Sequence, residues 1–175
     1  MKFMQQFIRV IDAINEKLGV GVSWLTTVLV IVVCYDVFTR YVLKSSSVAV
    51  QELEWHLFAI IFLMAAAYTL KDDQHVRVDV LYTRFSPRIQ AWINLLGSLI
   101  FLLPFCMLVI WTSWNFVRSS FMMGEGSPNP GGLPARYLLK AVIPISFIFL
   151  ALQGLSLTFK SILTLTGFET KERSA

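Results

Sequence analysis

Asp36 and Arg40 stand four residues apart, as do Glu52 and His56. On a helix each pair shares a face and can bond. Glu52, Glu54 and His56 supply two carboxylates and an imidazole, one ligand short of a closed tetrahedral metal site. The only histidines, His56 and His75, are 19 residues apart. That is ~28 Å along a helix, too far for both to ligate one haem iron. Ser127 has Glu125 nearby but no imidazole to take its proton, so nucleophilic catalysis is not expected. Cys34 and Cys106 lie in apolar runs and read as packing residues. No enzyme, cofactor or metal site is expected from this set. Asp36–Arg40 reads first as a self-neutralising pair, and second as a contact to a partner subunit.

The elements that carry these residues belong to a membrane. Of 175 residues, 56% are hydrophobic and only 15% charged, against about a quarter charged in soluble domains. Mean hydropathy is +0.66. This excludes a disordered chain, a disulfide-stapled secreted module and a basic nucleic-acid-binding domain. Crossing the bilayer takes about 20 mainly apolar residues. The gaps Lys17–Asp36, Glu54–Lys71, Arg88–Arg118 and Lys140–Lys160 enclose 18, 16, 29 and 19 uncharged residues. The pattern predicts an all-α integral membrane protein, a single membrane domain over 1–175. Its four transmembrane helices are expected at about 19–39, 53–71, 89–117 and 139–160, with an outer loop at 118–138. Ten Lys and Arg flank the spans on the side of the termini and five on the other. Both termini are therefore expected in the cytoplasm, and the net charge of +4 reads as topology plus attraction to membrane lipids.

Residues 1–17 carry their own pattern. Phe3, Phe7, Val10, Ile11, Ile14 and Leu18 recur at helical spacing, with Gln6, Arg9, Asp12, Asn15 and Glu16 opposite. An amphipathic interfacial helix is expected here, turning into the first span near Gly19 and Gly21, ahead of the alternative that it simply extends the first span into water. The first span is longer than a signal-peptide core and reads as a retained anchor. Pro104 and Pro144 fall inside spans and should distort their helices. Residues 124–134 are a run of turn formers without the Lys-Ser/Thr ending of a phosphate loop, so a rigid turn or docking surface is expected.

Several segments, taken in order, resemble the small membrane subunit of tripartite ATP-independent periplasmic (TRAP) transporters, the DctQ-like four-helix permeases. They are Arg40-Tyr41, Gln51-Glu52-Leu53, Thr69-Leu70, His75-Val76-Arg77-Val78-Asp79, the set Glu125, Ser127, Pro128, Gly132, Leu133 and Pro134, and finally Pro144. The resemblance covers most of the chain. It implies a non-catalytic scaffold in the bacterial inner membrane. In that family a large membrane subunit holds the substrate and sodium sites, and a periplasmic substrate-binding protein delivers an organic acid. Arg40, Glu52, His75, Arg77, Asp79, Glu125, Ser127, Pro128, Gly132 and Pro134 become candidate contacts to partners or lipid headgroups. One departure is Gln51, where many members carry a second acid. The alternative is a stand-alone small multidrug-type proton-coupled transporter using Asp36 or Glu52. Against it, neither residue lies at mid-membrane.

Overall fold

The computed structural model describes residues 1–72, 82 and 85–167. Four long helices make up the described chain: α1 (Lys2–Tyr41), α2 (Val48–Lys71), α3 (Pro87–Met122) and α4 (Arg136–Leu165). All four are long and apolar enough to cross a membrane, in agreement with the charge gaps.

Polar residues, not only apolar ones, hold the bundle together. α4 is its centre, touching α1, α2 and α3, while α1 and α2 also pack on each other. The buried face of α4 includes Ser146, Leu150, Gln153, Gly154 and Ser161, spaced as one helical stripe of small and polar residues. Small residues let membrane helices approach closely where lipid offers no hydrophobic drive for association. Leu70, Cys106 and Leu150 form the apolar core, with Ala66, Leu102, Phe147, Ala151 and Leu157 packed around them. Cys106 is fully buried there.

Residues 2–41 form one unbroken helix, so the expected turn at Gly19 and Gly21 is absent. A helical glycine costs only ~1 kcal/mol relative to alanine, and Gly19 is where the Tyr68 ring of α2 comes close to the α1 backbone. The face that α1 buries is also different from the expected one. Ile8, Ile11, Asn15, Gly19 and Val22 turn inward, while Phe3 and Val10 stay exposed. Asp12 and Asn15, expected on the water side, instead meet α4. Gln153 Nε2 donates to Asp12 Oδ1 at 3.0 Å, Ser156 Oγ to the same oxygen at 3.2 Å, and Lys160 Nζ lies 2.6 Å from Asp12 Oδ2. Asn15 Nδ2 donates to Gln153 Oε1 at 2.6 Å. A polar stripe on one helix has found its complement on another.

Removing the hub of this network should be measurable. Gln153→Leu, at a position 1% exposed, should lower stability in detergent by ~1–2 kcal/mol by stranding Asn15 and weakening the hold on Asp12. Thermal unfolding of the purified protein checks this.

Pro104 perturbs α3 from one turn away. Residues Ser98–Leu102 form a π turn, closed by Leu103 N–H donating to the Ser98 carbonyl. Proline cannot donate to the carbonyl four residues back and its ring crowds that turn, and one wider turn absorbs the mismatch. Pro144 is accommodated inside α4 as a buried residue.

The first third of α1 meets the last third of α4, and Glu16 pairs with Lys71 at the end of α2. The two ends of the described chain therefore lie at one end of the bundle. The α3–α4 loop lies at the other.

Candidate functional site

The α3–α4 loop folds on itself before it touches anything else. Glu125 N–H donates to the Ser120 carbonyl at 3.0 Å, and Arg136 N–H to the Glu125 carbonyl at 2.8 Å, closing the base of the loop. Ser127 N–H donates to the Leu133 carbonyl at 2.9 Å and Gly132 N–H to the Asn129 carbonyl at 3.0 Å, closing its tip. Gly131 takes φ +77°, a conformation open to glycine at little cost. The expectation of an ordered turn is met by this hydrogen-bonded geometry.

Glu52, in the first turns of α2 and only 4% exposed, is where the folded loop is fastened. Its Oε1 accepts from Ser127 Oγ, from Asn129 Nδ2 at 3.3 Å and from an Arg136 amino group at 3.4 Å. Its Oε2 accepts from Leu133 N–H at 2.7 Å. One carboxylate thus holds the loop at two side chains, one backbone amide and the first residue of α4. Arg136 also lies over the Trp55 ring, 5.6 Å from its centroid. A β-carbon built on Gly132 would come within 2.8 Å of Glu52 Oε2. Gly132 is therefore the residue that lets the loop close on the carboxylate.

A second carboxylate braces the base. Glu125 accepts from Ser120 Oγ at 2.6 Å and pairs with Lys140, whose ammonium lies 4.1 Å from the Phe116 ring centroid. Lys140 first, and Ser120 next, hold the Glu125 carboxyl below its ordinary value. The sign of the linkage follows. A lowered folded-state value adds stability that is present above the ordinary value of 4.5 and is lost as pH falls through the lowered one. Wild type should therefore outlast Glu125→Gln in thermal unfolding at neutral pH. The two should converge in acid below the ordinary carboxylate range.

The sequence-predicted residues divide into groups. Glu52, Ser127 and Gly132 come together, and Glu125 sits at the loop base. Pro128 and Pro134 are exposed on its surface. Arg40 is apart, paired with Asp36 within α1. His75, Arg77 and Asp79 lie outside the described residues. His56 Nδ1 meets the Glu52 backbone carbonyl and its ring lies tilted against that of Trp55, so the anticipated Glu52–His56 pair is not made through the carboxylate. Among the described residues no group of three His, Cys, Asp or Glu could hold a metal ion.

Sequence reasoning gave Ser127 no acidic neighbour except Glu125. Its actual partner is 75 residues away. The pairing does not make Ser127 a nucleophile: Glu52 is already spent on four donors, and no imidazole relays the proton. Arg136, Asn129, Ser120 and Lys140 were missed as well. The available signal was two acids without local cations, Glu52 and Glu125, beside a turn-rich loop ending in Arg136 and Lys140.

A family model described as "Tripartite ATP-independent periplasmic transporters, DctQ component" matches residues 29–164. That span includes every residue of the Glu52–loop assembly. No curated protein matches the chain.

Proposed function

The chain belongs to the DctQ component family of the tripartite ATP-independent periplasmic transporters, and from that premise we propose that it is the small, non-catalytic scaffold subunit of a sodium-coupled importer of an organic acid. As a family member with four apolar helices it is a multi-pass transporter component. In our reading it sits in the bacterial inner membrane with both termini in the cytoplasm. It packs against a large membrane subunit that carries the substrate, and its α3–α4 loop faces the periplasm to receive the substrate-binding protein.

The observation that carries this reading is how little of its apolar surface the chain covers by itself. The most apolar windows of its four helices are only 11%, 17%, 17% and 28% buried. Trp24 on α1 and Trp111 and Trp114 on α3 are 71%, 77% and 67% exposed. Meanwhile many polar groups of the interior are engaged with one another: Asp12 and Asn15 with α4, Glu52 with the loop. Polar groups spent on holding the helices and the loop, with apolar faces turned outward, suit a fixed body set among lipids and a larger partner. A carrier that binds a charged substrate needs uncommitted polar groups within the span.

The loop's fastening supports the docking role. A surface meant to receive another protein works best when it is ordered beforehand, because binding then loses less conformational entropy. In this reading Pro128 and Pro134 are surface contacts for the binding protein, Glu52, Glu125, Ser127 and Gly132 hold the surface in shape, and Arg40 flanks it. His75, Arg77 and Asp79 contact lipid headgroups or the partner at the cytoplasmic side.

Reconstitution tests the proposal. Liposomes holding this chain alone should take up no organic acid under a sodium gradient. Uptake should require the large subunit and the binding protein, and should fall when this chain is left out. Proton-coupled efflux by the chain alone, abolished by Asp36→Asn, would overturn the scaffold reading in favour of a small multidrug-type transporter.

A further inference from the structure

At the loop end of the bundle, α1 and α2 leave an open groove of about 310 Å³ lined by Leu29, Val33, Gln51, Glu54, Trp55 and Phe58. Its one ionisable group is Glu54, whose Oε1 is buried without a hydrogen-bond partner. Leu29, Val33 and Asp36 follow one another at helical spacing on a face of α1. Asp36 is 3% exposed; one of its oxygens is taken by Arg40, and Oδ1 is buried and unpartnered. Among the described residues, Asp36 and Arg40 are the charges close enough to act on the Glu54 carboxylate. The account is therefore two carboxylates to one guanidinium, with a free oxygen on each acid.

An uncompensated carboxylate beside an apolar membrane groove is unfavourable, so it takes up either a proton or a cation. A proton shared between the two acids would place their free oxygens within hydrogen-bond distance of one another, and they are not so placed; a proton held by Glu54 alone is the outcome that the carbodiimide measurement below detects. We propose that the groove receives a cationic side chain, best an arginine, from a membrane helix of the large subunit. A guanidinium offers five donors in a planar fork that suits the Glu54 carboxylate, and its charge would offset the second acid. Its stem would lie along Leu29, Val33 and Phe58, with the head at Glu54, as long basic side chains do at helix ends. A lipid amine fits less well. With a lipid tail in the groove, its phosphate would come to lie beside two carboxylates.

The inference rests on the reading that the chain works beside a large membrane subunit. The test is affinity purification of the tagged complex from native membranes, comparing wild type with Glu54→Gln, Asp36→Asn and, as a charge-removal control at the opposite end, Glu16→Gln. Wild type and Glu16→Gln should recover the large subunit equally. Glu54→Gln should recover it about tenfold less or worse, the scale of losing one partner of a desolvated charge pair, while still accumulating in the membrane. Equal recovery with Glu54→Gln overturns the inference and leaves the scaffold reading intact. Failure of wild type to recover any large membrane protein overturns both. A measurement on unmutated protein guards against a misfolded variant: a hydrophobic carbodiimide modifies neutral membrane carboxyls. Modification of Glu54 in the intact complex overturns the inference, and protection there supports it.

Discussion

Glu52→Ala is expected to release the α3–α4 loop from the bundle while the four helices remain in place. The change removes the acceptor for Ser127, Asn129, Leu133 and Arg136 together. It leaves the Arg136 guanidinium with the Trp55 ring and the more distant charge of Glu125, and the Leu133 amide with no acceptor. Hydrogen bonds to a charged group are the stronger ones, and a stranded buried donor costs more than an average bond contributes. Limited proteolysis within 124–135 should therefore accelerate roughly tenfold or more, since loop cleavage follows the population of the opened state. A graded series separates this account from general damage. Ser127→Ala removes one donor of four and should have the smallest effect. Gly132→Ala pushes a methyl into the Ser127 side chain and towards Glu52 Oε2, and should fall between the two. If the loop orders a docking surface, uptake driven by the binding protein should drop in the same order. If Glu52→Ala leaves proteolysis unchanged, the carboxylate is not what fastens the loop.

The second large effect is expected at Gly19. A β-carbon built there meets three carbons of the Tyr68 ring at 2.5, 2.6 and 2.8 Å, distances that real side chains do not reach. Gly19→Leu should force α1 and α2 apart near the end where Glu16 meets Lys71, costing ~1–3 kcal/mol by overpacking. Tyr68 is not free to swing aside at no cost: its hydroxyl lies beside the Asp72 carboxylate and the Lys71 ammonium sits 5.5 Å from its ring centroid. Shortening the ring should therefore rescue the variant. Gly19→Leu combined with Tyr68→Ala is expected to be less unstable than the sum of the single changes, a coupling read from thermal unfolding of all four proteins. Strict additivity would mean that the two residues do not meet as described.

How much of this was legible in the sequence depended on the range over which each feature is determined. The four apolar helices follow from a local constraint, because the bilayer tolerates few charges over about 20 residues. The order within 124–134 was legible for the same reason, since Gly, Pro, Ser and Asn punctuate the chain locally. What fastens that loop was not. Glu52 and Ser127 are 75 residues apart, and no periodicity links them. The inward turn of Asp12 and Asn15 was misread on a sound general rule. A helix with apolar and polar faces usually packs the apolar one, but Gln153, Ser156 and Lys160 present a polar complement on α4, and Phe3 and Val10 are left outward. By sequence alone Gly19 reads as a place for the chain to bend. In the fold it is a place for another helix to approach, and a single residue type serves both purposes equally well.

The central claim is that the outward apolar faces of α1 and α3 are covered by a larger membrane protein. Its most direct test is a scan with a photo-crosslinking amino acid at Trp24, Ile31, Phe101, Trp111 and Trp114, exposed positions all, followed by irradiation of intact native membranes. The account predicts that a contiguous subset on one face crosslinks in high yield to a single large protein of many spans, while the remaining positions capture only lipid. Crosslinks to lipid or to a second copy of the chain at every position would contradict it.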